Sequence, residues 1–178
     1  MLVSRLGLRC VATAGMALSA VSFYGLAMTD FSSQQVQAWI LMALLGFSAA
    51  SALLASTAAI MAAAPAEKAA AAGAIETMAY ELGAGLGIAI FGLLLSRSFS
   101  ASILPPAGLN PQEMERASSS MGEAVQLAHS LPSSLSEALL TAAREAFTWS
   151  HSVALSSAGS MLIVLAIGMW FSLAKVQR

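Results

Sequence analysis

The charged residues of this chain are few and grouped, and the runs between them are long. No Asp, Glu, Lys or Arg stands between Arg9 and Asp30, between Asp30 and Glu67, or between Glu145 and Lys175. A helix that crosses hydrocarbon needs about 20 predominantly apolar residues, because lipid offers its backbone groups no partner and each residue advances the helix only 1.5 Å. These runs are long enough, and a fourth apolar run follows Glu81. A soluble domain carries roughly 25% charged residues; this one carries 10%, with 58% hydrophobic residues over 178 positions and a mean hydropathy of +0.78. The sequence therefore predicts an all-α integral membrane fold with four spans, held in the lipid bilayer.

The first span is expected at about Leu8–Met28, flanked by Arg5, Arg9 and Asp30. A polar turn, Thr29–Gln37, leads to a second span at about Ala38–Ala64, which opens with Trp39, a residue suited to the membrane interface. Pro65 closes it, and Glu67 and Lys68 mark a tight hairpin. The third span is expected at about Ala70–Leu95 and ends at Arg97. Residues 98–147 differ: Pro105, Pro106, Asn110, Pro111, a serine-rich patch and many of the remaining charges gather there. Asn110-Pro111-Gln112-Glu113 has the form of an N-cap, a first-turn proline and a capping glutamate. Ser134-Leu135-Ser136-Glu137 repeats the capping pattern, and Leu135, Leu139, Ala142, Ala143 and Phe147 follow near helical spacing. A surface loop of roughly 50 residues with two short amphipathic helices is the expectation, followed by a last span at about Trp149–Leu173. The organisation is thus three spans over 1–97, a loop over 98–147, and a last span with its tail over 148–178.

Basic residues near span ends set orientation. With an even number of spans, Arg5, Arg9, Lys68, Lys175 and Arg178 share one side; Arg97, Arg116 and Arg144 share the other. Both termini and the Pro65–Lys68 hairpin are expected in the cytoplasm, with the 98–147 loop outside.

Little here suits an enzyme. Net charge is −1 and there is no basic run, so nothing points to nucleic acid. The single cysteine, Cys10, rules out an internal disulfide, and His129 and His151 have no metal-ligand spacing. No cofactor or metal is expected. The conspicuous residues are Glu76 and Glu81, inside the third span. A carboxylate at bilayer depth costs roughly 2.5–3.5 kcal/mol on insertion scales and usually faces a bundle interior or a wet cavity. Desolvation favours the neutral form of any carboxyl, so such a group can exchange a proton for a cation. Glu81 is the deeper of the two, and five residues of separation place them about 140° apart around a helix. The plainer alternative is that they only tie helices together by hydrogen bonds.

Gly83, Gly85, Gly87 and Gly92 follow. Gly83 and Gly87 form a small-xxx-small pair that lets helices approach closely; a phosphate-binding loop is a poor alternative, since no strand precedes it. Ala49, Ala50, Ser51, Ala52, Ala55, Ser56 and Thr57 make the second span another close-packing surface, with Ser56 and Thr57 as lesser candidates for lining a cavity. Tyr80 beside Glu81 is read first as a packing residue, and second as a ring that could cradle an organic cation. His151 and Ser152 read as interfacial anchors.

The run PAEKAAAAGAIETMAYELGAGLGIAIFGLLLSRSF, residues 65–99, resembles the penultimate helix of fourteen-span major facilitator drug:proton antiporters, with its proline hairpin, its acidic residue, an acidic-Leu-Gly and a glycine-rich continuation. Ser4-Arg5-Leu6-Gly7-Leu8-Arg9 is similar to that family's cytoplasmic loop motif, with Arg5, Gly7 and Arg9 matching and Ser4 in place of an aspartate. The resemblance covers essentially the whole chain and implies a bacterial inner-membrane exporter of organic cations, methyl viologen and quaternary ammonium biocides among them. It implies that Glu76 and Glu81 handle protons and cations. It also implies that this chain holds the last four of about fourteen spans, with Met1 as an internal start, a frameshifted product or an excised piece, inactive without the preceding helices. A self-contained four-helix exporter and a non-transporting membrane protein stand as alternatives; small exporters of the first kind carry their acid in the first span, which has none here.

Overall fold

The computed structural model describes the backbone of residues 2–31 and 33–176 and the side chains of residues 10–31 and 33–171. It is helical throughout, with no strand among the described residues. Six helices follow in order: α1 (Leu2–Met28), α2 (Gln35–Ala63), α3 (Ala69–Ser102), α4 (Pro111–Ser119), α5 (Met121–Ala128) and α6 (Ser133–Val176). Four of them are long and apolar enough to cross a membrane, the stretches concerned being Cys10–Met28, Gln35–Ala63, Ala66–Ser102 and Ser133–Phe171. The chain is a multi-pass membrane protein.

Two compact units are formed, Met1–Leu86 with Leu155–Arg178, and Gly87–Ala154. In the first, α1 and α2 pack directly on each other. At Gly15 an added Cβ would stand 3.2 Å from the Ser48 carbonyl oxygen and 3.3 Å from the Ala52 Cβ, and at Gly25 one would stand 2.9 Å from the Leu41 side chain. A larger residue at Gly15 would have to push the α2 backbone back by a few tenths of an ångström. Ala12, Ser19, Ala20, Ser48 and Ala55 are buried, and the hydroxyls of Ser19 and Ser48 share a hydrogen bond of 2.7 Å. Each hydroxyl thus finds a partner that lipid would not supply. α6 meets the other side of α1 at Gly159, beside the Tyr24 ring, and the Tyr24 and Ser160 hydroxyls lie 2.6 Å apart. Between α2 and α3 the chain turns through Pro65 and a single 3₁₀ turn, Ala66–Lys68.

The second unit has a core of its own. Phe99, Ile103, Ala124, Ala143 and Ala146 form one buried cluster; Leu109, Ala117, Leu127, Ala128 and Leu139 form another. α4 begins as its sequence requires: the Asn110 side chain accepts a hydrogen bond from the Glu113 amide at 2.8 Å, and the Glu113 carboxylate accepts one from the Asn110 amide, with Pro111 at the first helical position. α5 has the same kind of start, since the Ser120 hydroxyl accepts from the Glu123 amide. The Glu123 carboxylate instead pairs with Arg116 at 3.1 Å. Gly108, at φ +110, makes the turn before α4, a conformation open to glycine and strained for other residues. Replacing Asn110 by Ala is expected to weaken α4 by about 1 kcal/mol, the usual worth of an N-cap. Hydrogen exchange of the 111–119 amides should then quicken about fivefold, with Asn110→Asp restoring protection.

Four local expectations are corrected. The motif around Arg5, Gly7 and Arg9, read as a loop, lies on the backbone of α1, because a single glycine lowers helix stability by only about 1 kcal/mol and no proline or cap interrupts residues 2–9; the side chains of these residues lie outside the described residues. α2 begins at Gln35 rather than Ala38 and α3 runs on to Ser102 rather than Leu95, since polar residues without proline extend a helix into water. The short amphipathic helix expected from Ser134 is not separate: α6 starts at Ser133 and continues for 44 residues, about twice what a span requires. Its buried stripe is Leu139, Ala143, Ala146 and Ser150, while Phe147 is exposed. The helix α5, for its part, stands where only a serine-rich loop was expected; Ser120-x-x-Glu123 is the capping signal that marks it.

Candidate functional site

α3 carries both membrane glutamates, and the helix treats them differently. Glu76 lies seven residues past the start of α3 at Ala69, so a rise of 1.5 Å per residue places it about 10 Å from the hairpin. At the same depth on the neighbouring helix is Thr57, six residues before the end of α2. The Thr57 hydroxyl donates a hydrogen bond of 2.5 Å to Glu76 Oε1, and both side chains are half-buried. This contact joins two residues read separately in the sequence, one as a candidate acid and one as a lesser candidate for a cavity wall.

Glu81 lies twelve residues into α3, about 18 Å along a helix that has some 30 Å of hydrocarbon to cross. It is exposed and makes no hydrogen bond or ion pair among the described residues. Its surroundings are equally open. None of the residues in the most apolar stretch of α3 is buried, and Tyr80, Leu82, Leu86 and Ile88 are all exposed.

The glycines sort themselves by helical angle. At 100° per residue, Gly83 and Gly87 fall within about 20° of Glu76, whereas Gly85 and Gly92 fall within about 40° of Glu81. Each carboxyl therefore shares its face with two glycines that leave shallow grooves in the helix surface, beside Tyr80 on the Glu76 face and beside Ile88 on the Glu81 face. A Cβ added at any of the four meets nothing within 4 Å, so no described helix uses these grooves. Tyr80 belongs to the Glu76 side and is also exposed.

The remaining candidates fall elsewhere. Cys10 is an exposed free thiol on α1. His151 stacks on Phe147 with ring centroids 5.9 Å apart, and His129 ends α5 as an exposed residue. Neither histidine stands near the α3 carboxyls in sequence, and each belongs to the unit Gly87–Ala154.

No family model and no solved structure matches the chain. Among curated proteins, the methyl viologen resistance protein SmvA of Salmonella typhimurium, in two strains, is 85% identical over 177 residues, which is 99% of this chain and 36% of the relative. The multidrug efflux pump LfrA of Mycolicibacterium smegmatis is 40% identical over 88 residues, 49% of this chain and 18% of that pump. The chain thus spans little more than a third of the length of the relatives it matches most fully. A four-span helical membrane chain with two carboxyls on its third span is therefore similar, along 99% of its length, to part of the methyl viologen resistance proteins.

Proposed function

We propose that this chain forms the last four spans of a proton-coupled major facilitator exporter of organic cations, with methyl viologen and quaternary ammonium compounds as its substrate class. The observation that carries the reading is Glu81: an exposed acid halfway along an exposed apolar span in a chain 85% identical to methyl viologen resistance proteins. An ionisable group does not face lipid at that depth without a partner. The partner in this reading is a set of helices from the rest of the pump, laid along the glycine grooves of α3 and enclosing a wet cavity at Glu81.

The chemistry follows from what a carboxylate can hold. Ionised, Glu81 pairs with an organic cation in a low-dielectric cavity, where the attraction is strong. Protonated, it has no charge to hold the cation. A proton arriving from outside displaces the cation outward, and loss of that proton to the cytoplasm resets the site. A singly charged quaternary ammonium ion leaves as one positive charge enters, whereas the doubly charged methyl viologen carries one more charge out than a single proton brings in. Alternating access needs two halves rocking about a midplane site, so the chain by itself does not transport. Basic residues at span ends support an inner-membrane topology with both termini and the 65–68 hairpin cytoplasmic.

The test is tolerance in a bacterial strain stripped of its efflux pumps. A chimaera with this segment in place of the matching 36% of the Salmonella relative should restore growth in methyl viologen, and this chain alone should not. Tolerance from the chain alone would show a self-contained exporter. A well-expressed chimaera without tolerance would remove the exporter reading.

A further inference from the structure

We propose that Thr57 is a positioning residue for Glu76, holding one carboxylate oxygen across the α2–α3 contact so that the other is presented to a cation or proton. The proposal rests on the reading of Glu76 as a cation- and proton-handling group, and it adds a residue on a different helix to that site.

A threonine inside a helix has a usual partner for its hydroxyl. With no free backbone donor nearby, its hydroxyl usually turns back to the carbonyl four residues earlier. Thr29, Thr77, Thr141 and Thr148 all do so here, bonding the carbonyls of Gly25, Gly73, Glu137 and Arg144. Thr57 departs from that pattern. Its hydroxyl leaves its own helix and reaches Glu76 Oε1, although the Leu53 carbonyl lies one turn back. A hydrogen bond to a charged acceptor is stronger than one to a neutral carbonyl, which explains the choice.

The type of donor matters as much as its position. α2 carries no Asp, Glu, Lys, Arg or His between Gln35 and Ala63, so nothing on it neutralises Glu76. A lysine at residue 57 would form an ion pair and consume the charge a substrate needs. A hydroxyl orients the carboxyl without doing so. It also serves both states of the site, since the carbonyl oxygen of a protonated Glu76 still accepts from Thr57. Oε2 is left open: among the described residues Glu76 has no other hydrogen bond. The backbone supports the same arrangement, because Met61 of α2 approaches Gly73 of α3 one turn nearer the hairpin, with its Cε 3.4 Å from where a Cβ would stand. α2 and α3 are thus in contact on the face that carries the pair.

Two measurements test the assignment. In the chain itself, infrared spectra identify the Glu76 carboxyl bands as those lost in Glu76→Gln. Thr57→Val, which keeps the shape and removes the donor, should shift them, and Thr57→Ser should not. In the chimaeric pump, Thr57→Val should raise KM for the cation roughly three- to tenfold, the range of one interhelical hydrogen bond in a membrane, with Vmax changed less. Thr57→Ser should stay within about twofold of the parent, and Thr57→Val should add nothing to KM in a Glu76→Gln background. Unshifted carboxyl bands in Thr57→Val overturn the proposal, as does an equal KM rise in the Ser and Val variants, or a Val effect that persists in Glu76→Gln. A Glu76→Gln pump that transports like the parent overturns the coupling role of Glu76 instead, and leaves the infrared result standing.

Discussion

Glu81→Gln in the chimaeric pump is expected to reduce methyl viologen tolerance to that of cells with no pump. The amide has nearly the same shape as the carboxyl but can neither ionise nor take up a proton. Both halves of the exchange are lost together: no charge attracts the cation, and no proton displaces it. Losing only about 1.4 kcal/mol of cation binding is a tenfold loss of affinity, and a cation left beside a neutral amide in a low-dielectric cavity loses more than that. Cation-dependent proton movement in inverted vesicles, at matched protein levels, should therefore fall at least about tenfold. Glu81→Asp keeps the carboxyl one methylene further back and should fall between the two. A Gln variant that exchanges protons for cations at the parent rate would end the case for Glu81.

The second large effect concerns two glycines that look alike in sequence. Gly15→Val should loosen α1 from α2. The new Cβ would stand 3.2 Å from the Ser48 carbonyl oxygen and 3.3 Å from the Ala52 Cβ, atoms at or next to the α2 backbone that cannot swing aside. The helices must separate along the line that also holds the Ser19–Ser48 hydrogen bond. Overpacking of this kind costs about 1–3 kcal/mol, and the denaturation midpoint of the chain in detergent should fall accordingly. Gly85→Val should leave that midpoint where it was, because nothing lies within 4 Å of its Cβ. In the chimaeric pump the order should reverse in kind: Gly85→Val should abolish tolerance by filling the groove beside Glu81 that another helix is proposed to occupy. Full tolerance with Gly85→Val would mean that the groove stays empty in the pump.

The contrast between those glycines marks how far sequence reading reached. GxxxG spacing identifies a surface that permits close approach, yet it is blind to whether anything approaches. The spacing drew notice to Gly83 and Gly87, while Gly15, which packs on α2 and has the small residue Ser19 four positions on, passed without remark. The loop shows a similar division. Asn110-Pro111-Gln112-Glu113 was legible because a capping box is local chemistry within four residues. The continuity of α6 from Ser133 to Val176 was not, since a change from amphipathic to wholly apolar composition alters what a helix packs against and leaves its backbone bonds intact.

What the sequence determined by itself is the part that solvent dictates. Long apolar runs must become spanning helices because lipid leaves the backbone no other partner, and two acids within one of those runs single out α3, since an ionisable group there is too costly to be incidental. Only the tertiary structure decided which of the two acids has a partner on another helix. Position along a helix fixes an angle of about 140° between them, but which angle meets another helix depends on how α2 and α3 pack. That packing puts the Thr57 hydroxyl on Glu76 and leaves Glu81 open on the other side, and so divides one acidic span into a held carboxyl and an unpartnered one.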